Sequence, residues 1–278
     1  MRNIKIVADS SADMLTLGKT PFAAAPLKVI TDQREFVDDA ALDVEEMVTW
    51  FDSYKGRSKT SCPNPSDWLE AFGDAEEVFC VTITSGLSGS YNSACAAAQM
   101  WCAEDGSRKA HVIDSLSAGP ELVLLLEKLE EYIDQDLPFE EIREKIEAYK
   151  KHTGLVFILE SLKNFAANGR ISPAIAKITG VLGIRIVGKA SDHGTLEPVH
   201  KSRGAAKALE ALLEDMKAAG LSRGKVRIAH CRNESAAAAL AEKLRQQLTS
   251  ADVTIHKLRG LCSFYAEKGG LLVGFEKF

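Results

Sequence analysis

Four hydroxyls crowd one short loop of VTITSGLSGSYNSACAAAQ, Val81 to Gln99: Thr84, Ser85, Ser88 and Ser90, spaced by Gly86 and Gly89. Side chains of this type do three kinds of chemistry. A serine beside a base attacks acyl or phosphoryl groups. A hydroxyl donates to a carboxylate or phosphate without adding charge. A hydroxyl at a helix start caps free backbone N–H groups. The loop holds no Lys, His or acid, and the six histidines offer no evident triad partner. A hydrolase elbow needs GxSxG, but after Gly86-Leu87-Ser88 the second glycine comes one place early, at Gly89. A phosphate-binding GxxxxGK[ST] run and a dinucleotide GxGxxG after a strand are both absent. Nucleophilic catalysis is therefore disfavoured. Capping by Ser88 or Ser90, of a helix running from Tyr91, is the plain alternative for this loop taken alone.

The loop is not alone. IKIVADSSAD ends in Asp9, Ser10 and Ser11, and AHVIDSLSAGP ends in Asp114, Ser115 and Ser117 before Gly119 and Pro120. KTSCP adds Thr60 and Ser61. Helix N-termini attract anions through their free N–H groups, so several such loops together suit a site that holds an anion without neutralising it. Asp9 and Asp114 end their strands alike. They read as metal ligands, as an acid/base pair or as acceptors for loop N–H groups. The last is favoured, because no His adjoins either acid in the sequence. Arg170 in NGRIS and Arg203 in KSRG read as solvated charges unless the fold places them at a site. His230 and His256 read as core or rim residues, and Trp50, Trp68 and Trp101 as packing residues on helical patterns.

Each hydroxyl cluster follows a short apolar strand. In an open parallel sheet the carboxyl ends of neighbouring strands share one edge, where ligands bind, so three such ends predict a single polar site. The remaining patterns predict a hairpin over AAPLKVITDQREFVDD turning at Thr31-Asp32-Gln33 and a helix from Asp43 to Tyr54. A further helix is capped by Asn64, with Pro65 first and Asp67 in its first turn. Another runs from Phe139 to Lys150. A boundary is expected near Lys151–Gly154. Beyond it come a strand (GLVFILE), a helix–turn–helix about Asn168-Gly169, and a hairpin about Asp192-His193-Gly194. Helices follow at Gly204–Lys217 and Ser235–Leu248, with strands KVRIAHC, DVTIHKL and GGLLVGF. The expected fold class is α/β: a mostly parallel α/β sheet domain at 1–153 and an α+β domain at 154–278.

Bulk properties narrow the function. The chain has 278 residues, 46% hydrophobic and 26% charged, with a formal net charge of -5. That charge disfavours nucleic acid and anionic membranes as partners. No apolar run reaches the roughly 18 residues of a membrane span; the densest, Leu122–Leu126, is flanked by acids. Six scattered cysteines without a CxxC pair argue against a metal cluster or disulfide framework, and no leader pattern precedes the first strand. The expected setting is cytoplasmic.

Taken in order, IVADSSAD (Asp9, Ser10, Asp13), KTSCP, ITSGLSGSYNSA, HVIDS, NGRIS and KSRG resemble the DegV family of bacterial fatty-acid-binding proteins, the acyl-carrying subunits of fatty acid kinase. The resemblance runs over essentially the whole chain. It implies two domains, one long-chain fatty acid in an apolar tunnel, no cofactor, metal or catalytic residue in this chain, and an ATP-dependent kinase subunit as partner. It further implies that Thr60, Ser61, Ser85 and Ser88 meet the carboxylate, with Asp9, Ser10, Asp114 and Ser115 in supporting loops. By the same resemblance, Arg170 and Arg203 are expected near the carboxylate entrance and kinase-docking surface. The sequence departs from the family where a C-terminal HxGPG motif supplies a carboxylate-binding His: Tyr265 stands there, a neutral donor. Asn168 stands where Gly is common. A stand-alone serine hydrolase or phosphotransferase and a lipid-occupancy sensor are the competing readings.

Overall fold

A computed structural model describes residues 2–172, 175, 183–248 and 250–278. The first half builds two sheets. Strands β1 (Ile4–Asp9), β2 (Phe22–Ala25), β6 (Glu77–Thr82) and β7 (Lys109–Asp114) form a wholly parallel sheet in the order β2-β1-β6-β7. Strands β3 (Lys28–Thr31), β4 (Glu35–Val37) and β5 (Ser58–Ser61) form a small antiparallel one in the order β4-β3-β5. The expected hairpin is β3–β4. The alanines preceding it belong instead to β2: Pro26 interrupts the run, and Ala23–Ala25 pair with β1.

The second half builds a six-stranded mixed sheet, β10-β9-β8-β13-β11-β12. Its strands are β8 (Thr153–Leu159), β9 (Ile184–Ala190), β10 (Leu196–Arg203), β11 (Gly224–His230), β12 (Ala251–Lys257) and β13 (Leu271–Glu276). The last strand inserts antiparallel between β8 and β11, a placement without a local sequence signal.

Period-2 alternation distributes these strands between layers. On β6, Val78 and Cys80 pack against helices α2 (Pro65–Phe72) and α3 (Ser90–Glu104), where Trp68 and Trp101 are buried. Phe79 and Val81 face helix α4 (Pro120–Asp134) and α5 (Phe139–Tyr149). On β8, Val156 and Ile158 face helices α7 (Ala205–Ala218) and α8 (Glu234–Gln247), whereas Leu155, Phe157 and Leu159 face the other way.

Helix α4 lies between the two large sheets, which explains its dense apolar run. Leu122, Leu125, Leu126 and Leu129 pack on the parallel sheet and are fully buried. Its other side meets β13 and β11. There Gly274 permits the approach, since a Cβ would stand 2.5 Å from the Pro120 carbonyl. Glu127 of α4 takes a bidentate grip from Arg227 of β11, both contacts at 2.7 Å. Two short helices complete the frame, α1 (Val44–Ser53) and α6 (Lys163–Ala167). The final helix, α9 (Gly260–Ala266), leads into β13. The helix expected beyond the Asn168-Gly169 turn falls on residues outside those described.

Candidate functional site

The parallel sheet brings its three polar strand ends together. Asp9 ends β1 fully buried. Its carboxylate accepts from the Ile83 N–H at 2.8 Å, the Ser90 hydroxyl at 2.6 Å, and the N–H and hydroxyl of Ser11. Burial still pushes its pKa up, the hydrogen bonds opposing the shift. Asp114 ends β7 and accepts from the Ser85 and Leu116 N–H groups, each at 3.1 Å. Both acids hold loops in place, as acceptors. Ser10 accepts from the Leu27 N–H at 3.0 Å, and Ser115 accepts from the Ser117 N–H at 3.0 Å. The Thr84 N–H reaches the Ser117 carbonyl and the Gly119 N–H the Ser11 carbonyl, so the three loops form one bonded rim.

Capping does not use up the serines. Gly89 is the N-cap of α3 and has no side-chain cap bond. Ser90 turns back to Asp9, while Ser88 accepts from the Ser90 N–H at 3.2 Å.

Beside this rim lies a cavity of about 310 Å³, in the range of small-molecule sites. Its polar lining includes Thr60, Ser61, Ser88 and Tyr265, with Gly89 at the N-terminus of α3; Ser61 is itself exposed, and its hydroxyl donates to the Cys62 carbonyl at 3.2 Å. Its apolar wall is Leu155, Phe157 and Leu159 of β8 with Leu261, Phe165 and Leu272. Strand β5 delivers Thr60 and α9 delivers Tyr265, and their hydroxyls lie 2.8 Å apart. Burial pushes the Tyr265 phenol above its ordinary value, so it is a protonated donor at neutral pH. The Phe165 ring packs on it at 4.7 Å between centroids.

Among the described lining residues, Arg170 is the one charged side chain. Its guanidinium donates to the Leu87 carbonyl at 3.2 Å and to the Asn168 carbonyl at 2.5 Å, bridging the second half to the serine loop. Arg170 follows a turn in which Gly169 has φ +71° and the Arg170 N–H bonds the Phe165 carbonyl.

Two expected residues fall elsewhere. Ser85 is exposed and outside the lining. Its N–H is held by Asp114, which turns the residue out at the loop tip. Arg203 is exposed at the end of the edge strand β10 and is likewise outside the lining. Residues the sequence left unassigned do line the cavity: Thr84, Ser117, Cys62 and Cys262. Thr84 and Ser117 carried a signal, since both lie in hydroxyl clusters; the cysteines carried none, behaving as small apolar groups. The β9–β10 hairpin also closes on the site. Gly194 has φ +70°, and a Cβ there would collide with the Thr84 hydroxyl. A Cβ on Gly86 would stand 2.8 Å from the His193 carbonyl. Among the described residues no group of three or more His, Cys, Asp or Glu is placed to hold a metal ion, and no helix is long and apolar enough to cross a membrane.

Comparison with known proteins gives one consistent result. The family model described as "Uncharacterised protein, DegV family" matches residues 3–277. A DegV domain-containing protein of Streptococcus pneumoniae is 45% identical over 276 residues, 98% of each chain. A DegV family protein from Eubacterium eligens, solved loaded with heptadecanoic acid, superposes with a TM-score of 0.97 at 45% identity, covering 99% of this chain and all of that one. The Streptococcus pneumoniae fatty acid kinase B3 protein, solved loaded with linoleic acid, superposes with a TM-score of 0.97 at 44% identity over the full length of both.

Proposed function

The chain belongs to the DegV family, and on that footing we propose that it binds one long-chain fatty acid and presents the carboxylate to a separate ATP-dependent kinase subunit. One observation carries this reading. The cavity is lined both by apolar side chains of β8 and by the neutral hydroxyl residues Thr60, Ser61, Ser88 and Tyr265, and two relatives of the same fold hold fatty acids. Ser85 is not part of the proposed cradle.

The division of labour follows from energetics. A buried methylene contributes roughly 0.8 kcal/mol. About a dozen in an apolar tunnel supply on the order of 10 kcal/mol before ordering costs. The head group then has to be oriented rather than gripped. Neutral hydroxyls and the α3 N-terminus position a carboxylate and leave an oxygen free to attack phosphorus, whereas a bidentate arginine engages both oxygens. The chain's own part is to bind, orient and exclude water. The phosphoryl group comes from the partner, which Arg170 and the exposed Arg203 are proposed to face. A stand-alone hydrolase lacks support: among the described lining residues no base stands beside Ser88, and the one charged side chain is a guanidinium, which does not accept a proton.

Organic extraction and mass spectrometry of purified protein test the reading. A long-chain acid is expected at about one per chain. No co-purified acid and no uptake of added palmitate overturns the proposal. Thr60→Val with Ser88→Ala should weaken retention without unfolding, and labelling of a serine by a fluorophosphonate would favour the hydrolase instead.

A further inference from the structure

The helix that carries Tyr265 is fastened at its start by acids from the other half of the chain. Asp38, in the turn after β4, is 1% exposed. Its two carboxylate oxygens accept the Gly260 N–H at 3.0 Å and the Leu261 N–H at 2.8 Å. The preceding amide, Arg259 N–H, is taken by Asp13 at 2.7 Å. Three successive amides are thus held by two carboxylates from more than 200 positions away. The joint is close: a Cβ on Gly260 would stand 2.7 Å from the Asp38 carboxyl. Gly260 is not in the left-handed region, so the contact and not the backbone requires glycine there. From the same helix Leu261, Cys262 and, one turn further on, Tyr265 line the cavity, where Tyr265 meets Thr60.

A short helix fixed at one end by a bidentate carboxylate has little freedom to tilt, and tilt is what would move the Tyr265 hydroxyl relative to Thr60 and Ser88. We propose that Asp38 is a positioning residue for the head-group donor: it acts through the first turn of α9 to fix the Tyr265 hydroxyl for the ligand carboxylate. This rests on the fatty-acid reading above.

A double-mutant cycle on palmitate affinity tests it, using wild type, Asp38→Asn, Tyr265→Phe and the double variant. The Asn isostere offers an N–H₂ group where one amide needs an acceptor, so the joint loosens without losing volume. Asp38→Asn is expected to weaken palmitate binding roughly tenfold in the wild-type background and less than about twofold when Tyr265 is already Phe. An equal loss in both backgrounds would mean general loosening and would overturn the proposal, as would no loss in the wild-type background. Gly260→Ala disturbs the same joint from the opposite side. It gives the same non-additive pattern if Asp38→Asn does not fold, and additivity there overturns the proposal equally. Absence of palmitate binding by the wild type is a separate outcome; it rejects the fatty-acid reading itself and the proposal with it.

Discussion

On the proposed fatty-acid reading, the phenol of Tyr265 bears on how head-group binding responds to pH. Burial raises its pKa from an ordinary 10.0, so it keeps its proton, and its capacity to donate, throughout the neutral range. A fatty acid's own carboxyl is ionised above about pH 6. Palmitate affinity should therefore be flat between about pH 6 and 9, as followed by a fluorescent fatty-acid displacement assay; a steep fall across that window contradicts the assignment. A histidine at this place would lose its charge inside the same window. Removing the hydroxyl in Tyr265→Phe should cost roughly 1.5–3 kcal/mol of binding, the range for a hydrogen bond to a charged group, with thermal stability little changed. The residue's type was legible from the sequence. Its pairing with Thr60 was not, because the two stand on different sheets' worth of chain and meet only through α9 and β5.

Among the elements, the β9–β10 hairpin and α5 show how local geometry becomes consequence. The hairpin tip sits on the serine loop because Gly194 and Gly86 lack side chains. Gly194→Ala combines an unfavourable φ of +70° with a collision at Thr84. It is expected to lift the hairpin, lower stability by roughly 1–3 kcal/mol and speed release of a bound fluorescent fatty acid in stopped flow; an unchanged off-rate would show that the hairpin does not confine the ligand.

Helix α5 is tied to the edge strand β7 by Glu147 and His111, 3.1 Å apart, and to its own end by Lys150 at 2.7 Å. The His111 hydrogen bond leads in holding the Glu147 carboxyl down at about 2, below its ordinary 4.5. A depressed carboxyl contributes stability that is whole above pH 4.5 and lost as pH falls toward 2. Solvent screening keeps the amount small, as Glu147 is 40% exposed. Glu147→Gln should make the fall of Tm in that window shallower, measured by calorimetry; an unchanged slope would assign the acid sensitivity elsewhere.

At the scale of the whole molecule, α4 is the shared core of both halves. It gives apolar side chains to the parallel sheet and Glu127 to Arg227 of the mixed sheet. Leu125 is fully buried, and Leu125→Ala should cost about 2–5 kcal/mol. Because one helix serves both sheets, urea unfolding of wild type and variant should each be a single transition by circular dichroism and fluorescence; two separate transitions would show that the halves unfold independently. The core around Leu27, Phe36, Leu155, Phe157 and Leu272 also draws on both halves, so the cavity exists only when they are packed together.

Apart from β5 and α9, the elements that carry Thr60 and Tyr265, the sequence by itself determined most element types, the shared parallel edge of Asp9, Thr84 and Asp114, the Asn64 cap and the hydroxyl character of the site. These depend on local periodicity and on side chains near in the chain, as the capping box of Asn64 and Asp67 illustrates. Only the tertiary structure decided which hydroxyls face the cavity. Ser85 and Ser88 are three residues apart in one loop, yet Asp114 holds the Ser85 amide at an exposed tip while the turn into α3 carries Ser88 inward. It alone placed β13 beside β8, buried α4 between two sheets and hung Tyr265 from Asp38. Each of those contacts joins residues about a hundred or more positions apart, and the energy that fixes it comes from packing between elements whose partners leave no mark in the neighbouring sequence.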